Sequence, residues 1–168
     1  MNKKIIYPWL TNEAIWFLEW YLSQNYVTHV LEFGSGNNTL FFDQEKFSLQ
    51  IITIENDGLY YNKIKDKLSL RVDFRWLSRP YYNVCDRFQD EYFNLILIDG
   101  RDRAKCIEKS MRTLKKGGIL MLDNSERYYY QEAIKLLSDW KVTITQQKDN
   151  PLCEHNYPDW ETSWWEKP

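Results

Sequence analysis

Two glycines one residue apart and four acids at or near the ends of apolar runs, one of them in an Asp-Asn pair, are the residues of this 168-residue chain best placed for chemistry. Gly34-Ser35-Gly36 follows the run Val-Thr-His-Val-Leu-Glu-Phe at 27–33. Glycines there let the backbone turn sharply and let a ligand approach closely. A helix starting near Asn38 would then aim its free amides at that ligand. Thr39 stands where a G-x-G-x-x-G dinucleotide fingerprint requires a third small residue. Glu32, just ahead of the first glycine, suits a ligand carrying positive charge better than a pyrophosphate. Glu55, with Asn56 beside it, ends the next apolar run 19 residues after Gly36. A carboxylate at that place can accept both hydroxyls of a ribose.

Asp99 closes the run Phe93–Ile98, and Asp123-Asn124 closes Ile119–Leu122. Each has two readings. Asp99 either faces a ligand or caps the helix after it. Asp123 and Asn124 either turn the chain or join Asp99 in holding a hard cation, and three oxygens without histidine suit Mg²⁺ better than zinc. Cys85, Cys106 and Cys153 form no C-x-x-C pair, and neither His29 nor His155 sits beside a cysteine at zinc-ligand spacing. They read as packing residues in a reducing, cytoplasmic compartment.

The elements that must carry these residues alternate. Residues 11 to 24 have Ala14, Phe17, Leu18, Tyr21 and Leu22 on one helical face, with Thr11 as N-cap. Strands are expected at 27–33, 49–54, 71–77, 93–98 and 119–122, with a last pair at 141–147 and 161–166. Helices are expected over 38–47, from Asp57 carrying Leu59, Ile64 and Leu68, from Ala104 to Lys116 with Gly117-Gly118 as its stop, and over 126–140. Residues 78–91 read as loop with a short helix. Alternating β and α at this spacing predicts a parallel sheet covered on both faces, with ligands at the carboxyl ends of its strands. The acids and glycines named above all fall at that rim.

In this order the motifs resemble those of class I S-adenosylmethionine-dependent methyltransferases. Val30-Leu31-Glu32-Phe33-Gly34-Ser35-Gly36-Asn37-Asn38-Thr39 is similar to their first motif and Glu55 to their ribose-binding acid. Phe93–Gly100 is similar to their fourth-strand motif, and Leu114-Lys115-Lys116-Gly117-Gly118 to the segment before their fifth strand. The resemblance implies an α/β, three-layer Rossmann-like fold with a seven-stranded, mostly parallel sheet in the order 3-2-1-4-5-7-6. It implies one domain over 1–168, with an N-terminal helix in 1–25 and a core over 26–168. It implies S-adenosylmethionine held by Gly34, Ser35, Gly36, Asn38 and Thr39, with Glu32, Glu55, Asn56 and Asp99 around it. Asn38 replaces a third glycine, and no acid follows the third strand to contact adenine.

At the substrate end there is no N-P-P-Y or D-P-P-Y. Asp99 and Asp123-Asn124 resemble instead the ligands of metal-dependent small-molecule O-methyltransferases, which implies Asp99 and Arg103 as catalytic residues and Asp99, Asp123 and Asn124 around Mg²⁺. Arg103 reads as a partner for an acidic substrate group or as a helix-surface charge. Lys105 is the nearest candidate base and would have to turn inward. Tyr81, Tyr82, Tyr157 and Trp160 either stack on a flat substrate or pack in the core. The function implied is methyl transfer to a small molecule, at a hydroxyl oxygen. The alternatives are an RNA or protein methyltransferase, an aminopropyl transferase, and an inactive binding protein on the same fold. A net charge of −2 without a basic stripe argues against a nucleic-acid partner. No apolar run approaches the ~18 residues of a membrane span. Trp16 and Trp20 share a helix face beside that of Phe17 and Tyr21, and a homodimer through that surface is expected.

Overall fold

The computed structural model describes residues 6–147 and 160–168. Cys153, His155 and Tyr157 lie outside the described residues. Seven strands form one sheet: β1 (His29–Phe33), β2 (Gln50–Glu55), β3 (Val72–Trp76), β4 (Phe93–Ile98), β5 (Leu114–Asp123), β6 (Lys141–Gln147) and β7 (Trp160–Glu166). Their order is 3-2-1-4-5-7-6, and β7 runs antiparallel to both its neighbours. The helices are α1 (Asn12–Leu22), α2 (Asn37–Phe42), α3 (Gly58–Lys65), α4 (Arg103–Ser110) and the short α5 (Gln131–Ile134).

Every residue of β4 is buried, because both faces of the sheet are covered and no side chain is left for water. Alternate residues supply two cores. Val30, Leu95, Leu97 and Met121 pack with α1 and with Phe41 and Phe42 of α2. Leu31, Phe33, Ile96, Ile98 and Leu120 pack with Cys106 and Ile107 of α4 and with Tyr130 and Leu137. α1 buries Ala14, Ile15, Leu18, Tyr21 and Leu22, and Phe17 stacks on Trp164 of β7 at 4.5 Å. Trp16 and Trp20 remain exposed. Burial pushes the thiols of Cys85 and Cys106 upward, as expected of packing residues.

Several expectations are corrected. α2 ends at Phe42 because Asp43 turns to accept the backbone N–H and the hydroxyl of Ser69 ahead of β3. α4 ends at Ser110, and a 3₁₀ turn leads into β5 at Leu114, which pairs with Phe93. Lys115 and Lys116 are therefore strand residues. Gly117, at φ +69°, makes the irregularity that keeps β5 in the sheet rather than stopping a helix. The helix over 126–140 is broken into a 3₁₀ turn at Tyr128–Tyr130, α5, and a second 3₁₀ turn at Lys135–Leu137. Three successive tyrosines lose side-chain freedom in a helical turn and start a helix poorly. Leu59 is exposed and Ile64 is the buried residue of α3. Thr11 sits at the N-cap of α1, but its hydroxyl pairs with that of Thr145, so it does not cap through its side chain.

Candidate functional site

β1 and β4 lie side by side and both stop at the same rim, which puts Gly34 against Gly100 backbone to backbone. A Cβ on Gly34 would stand 2.5 Å from both the Cα and the N of Gly100, and Gly34 has φ +91°. The turn is then pinned amide by amide. Gly34 N–H donates to Ile54 O at 2.9 Å, Ser35 N–H to Glu55 Oε2 at 3.0 Å, and Gly36 N–H to Thr39 Oγ1 at 3.0 Å. The N–H groups of the turn itself thus find their acceptors within the protein.

Glu32 is fully buried beneath the turn. Its Oε2 accepts the hydroxyls of Thr39 and Thr53, each at 2.7 Å, while Oε1 has no donor. Burial pushes this carboxyl up to about 8 against the pull of the two hydroxyls. Glu55 uses both oxygens: Oε1 accepts the N–H of Asn56 and of Asp57 at 2.8 Å, and Oε2 accepts the N–H and hydroxyl of Ser35. Asn38 donates from Nδ2 to Asp99 Oδ2 at 2.9 Å, and its own buried Oδ1 has no donor. Tyr60 stands over the turn, its hydroxyl 3.2 Å from where a Cβ of Gly36 would be. Burial, followed by the charges of Glu55, Asp99 and Glu32, raises its pKa, which places it in the field of all three acids.

The ends of β4 and β5 carry the second group. Arg103, the first residue of α4, is buried there. Its Nε donates to Gly100 O at 2.9 Å, and its Nη2 to Asp99 O at 2.8 Å and Asp99 Oδ1 at 2.9 Å. Its Nη1 donates to Asp123 O and to Asn124 Oδ1, the latter at 3.3 Å, and lies 3.7 Å from Asp123 Oδ2. Asp123 Oδ1 accepts Trp160 Nε1–H at 2.7 Å and the Thr162 hydroxyl at 3.0 Å. Burial raises both Asp99 and Asp123, opposed by Arg103; Asp123 is pushed further because the Asp99 charge adds to burial. Asp99 keeps a quarter of its side-chain surface open, so of the two carboxylates it is the one that faces outward.

The structure thus joins Glu32, Gly34, Ser35, Gly36, Asn38, Thr39, Glu55, Asn56 and Asp99 into one connected rim, with Arg103, Asp123 and Asn124 alongside. It corrects the other expectations for this end. Arg103 is an interior residue with its donors committed, neither a surface charge nor free for a substrate. Lys105 is exposed and pairs with Glu108 at 2.7 Å. Tyr81 and Trp160 pack in the core. Sequence reasoning missed Thr53, Tyr60 and Thr162. The alternation of β7 carried a signal for the last, since Trp160 and Thr162 share a face.

A hollow of about 170 Å³ lined by Leu77, Ser78, Pro80 and Tyr81 adjoins the rim beyond β3. A larger groove, about 1060 Å³, lies between Asp43, Lys46, Lys67 and Arg71, at the far end of α2 from the acids. Size alone would choose the groove; the convergent polar groups choose the rim.

The chemistry of the residues around the turn is compatible with S-adenosylmethionine. The orphaned Glu32 Oε1 and Asn38 Oδ1 are buried acceptors flanking the turn, and the methionine end of that molecule carries an ammonium with three N–H donors. The same test fails for Mg²⁺. No group of three or more His, Cys, Asp or Glu side chains among the described residues could hold a metal ion. The oxygens of Asp99, Asp123 and Asn124 are already committed to a guanidinium, an indole N–H and hydroxyl or amide donors.

No family model matches the chain, and no curated protein does. Solved structures match in fold. An O-methyltransferase from Bacillus cereus in complex with SAH superposes with a TM-score of 0.69 at 16% identity, over 90% of this chain and 79% of that one. A tRNA methyltransferase from Aquifex aeolicus gives 0.67 at 15% identity, over 99% and 71%. Spermidine synthase from Thermotoga maritima gives 0.62 at 15% identity, over 88% of this chain and 56% of that one. The chain thus spans little more than half the length of that synthase. The sheet order and these likenesses give the fold: a Rossmann-like three-layer α/β fold that this chain shares with those two methyltransferases and with the spermidine synthase. No helix among the described residues is long and apolar enough to cross a membrane.

Proposed function

We propose that the chain is an S-adenosylmethionine-dependent methyltransferase acting on a small-molecule acceptor at a hydroxyl oxygen. The observation that carries the reading is the ring of Glu32, Glu55 and Asp99 around the glycine turn, with two buried oxygens lacking donors. Such a ring favours a cationic ligand, and the sulfonium of the cofactor would supply a methyl group activated for transfer. Gly34, Ser35 and Gly36 would seat the methionine end, with Glu32 Oε1 and Asn38 Oδ1 accepting from its ammonium. Glu55 would take the two ribose hydroxyls by releasing the N–H and hydroxyl of Ser35, two hydrogen bonds exchanged for two. With β1 and β2 ends so occupied, the acceptor is left the ends of β4 and β5. There Asp99 accepts the proton of the hydroxyl, held in place by Arg103 and Asn38.

Glu55→Ala should weaken S-adenosylhomocysteine by about 1–3 kcal/mol, the loss expected for a charged hydrogen-bond acceptor. Equilibrium dialysis with labelled ligand checks it; unchanged affinity would remove Glu55 from the site. For the reaction, the test is incubation with S-adenosylmethionine labelled in the methyl group and a panel of phenols, hydroxy acids and bulk RNA. The reading predicts label in an ether of one hydroxylated compound, reduced about 100-fold or more in Asp99→Asn. Label in RNA or in protein would replace it with the corresponding alternative. The exposed Trp16 and Trp20 are where a second copy would dock, and a monomeric mass by sedimentation at high concentration would dismiss that dimer.

A further inference from the structure

We propose that Arg103 is a resident cation, holding between the ends of β4 and β5 the place a divalent ion would take, and that removing its guanidinium turns this place into a cation site. Six oxygens converge on that one side chain: Asp99 O and Oδ1, Gly100 O, Asp123 O and Oδ2, and Asn124 Oδ1. All are hard donors, two belong to carboxylates, and they come from two adjacent strand ends and the turns that follow. That is the ligand type and number a calcium-like ion takes. The guanidinium donates to five of them, and Asp123 Oδ2 is an ion-pair contact at 3.7 Å. It also supplies the one positive charge that two buried carboxylates need.

Asp123 shows how far the arrangement is committed to an internal cation. Its Oδ1 is fixed by Trp160 and Thr162, which turns Oδ2 toward Arg103. Asp99 is likewise fixed from the other side by Asn38. With the guanidinium gone, these second partners would still hold the oxygens around a vacated space lined by two carboxyl groups. Ca²⁺ and Mn²⁺ should enter it more readily than Mg²⁺, which demands stricter octahedral geometry and dehydrates reluctantly. The wild-type chain should need no divalent ion there.

This inference is read with metal ions alone, so failure to bind S-adenosylhomocysteine would leave it standing while sinking the methyl-transfer reading. Arg103→Ala, melted in EDTA and then in 10 mM CaCl₂, MnCl₂ or MgCl₂, should regain about 5–10 °C with Ca²⁺ for a dissociation constant near ~100 µM. The wild type should not move, and Arg103→Ala/Asp123→Asn should lose the rescue. A variant that none of the three ions stabilises, or that stays unfolded with and without Ca²⁺, overturns the proposal. So does the complementary measurement on the wild type: Mn²⁺ bound, by paramagnetic resonance, at a place that Asp123→Asn abolishes.

Discussion

A Gly34→Ala variant is expected to lose about 3–5 kcal/mol of folding stability, read as a fall in the urea midpoint at unchanged slope. Two costs add. The φ of +91° penalises any L side chain, and the new Cβ would sit 2.5 Å from Gly100 Cα and N and 2.9 Å from the Asp99 carbonyl carbon. Those neighbours are backbone atoms of β4's end, so none can swing aside by a rotamer change. Relief requires moving the strand end that carries Asp99, and cofactor affinity should fall with stability. Gly117→Ala is the internal control. Its φ is +69°, but nothing lies within 4 Å of the added Cβ, so only the backbone cost of about 1–2 kcal/mol applies. Equal losses at the two positions would refute the close approach of Gly34 and Gly100 beyond the ends of β1 and β4.

The second large effect is a pH dependence centred on Glu32. Burial lifts its carboxyl from 4.5 to about 8, so the folded chain binds a proton there that the unfolded chain has released. The stability this proton contributes is fully present below pH 4.5 and is lost as pH rises through 8, a swing of at most about 5 kcal/mol. Asp99 and Asp123 are raised as well, so the comparison that isolates Glu32 is wild type against Glu32→Gln at each pH. The glutamine keeps an oxygen for the Thr39 and Thr53 hydroxyls but has no proton to lose. It should be the less stable variant near pH 5, because its amide N–H groups lack a buried acceptor, and the more stable one near pH 9. Parallel stability curves across that range would show that Glu32 does not titrate as a buried acid.

Much of this architecture was legible in the residues. The run Phe93–Ile98 reads as a strand covered on both faces because it has only one polar member, Asn94, and the acids that end such runs read as a rim. Gly34 and Gly36 after a strand mark the turn. Other features were hidden for physical reasons. An arginine opening a helix resembles a solvated charge until the fold shows two carboxylates on adjacent strand ends, too far apart in sequence for any local pattern to join. Thr39 and Thr53 reach one carboxyl oxygen from different elements. The start of β5 was concealed because Lys115, Lys116 and two glycines read as a helix end, whereas a single positive φ at Gly117 bends the chain while the strand continues. The breakup of residues 126–140 reflects weak helix formers whose apolar spacing alone looks helical.

The claim at the centre is that the acid-ringed glycine turn binds the methyl donor, and calorimetric titration of the wild-type chain with S-adenosylhomocysteine at neutral pH tests it most directly. The account predicts a one-to-one isotherm with a dissociation constant at or below about 100 µM, near 5.5 kcal/mol of binding. Because a cationic ligand beside Glu32 favours its ionised form, proton release should accompany binding, seen as heats that vary with the buffer's ionisation enthalpy. A flat titration at millimolar ligand would contradict the account and leave a methyltransferase fold whose rim serves another cation.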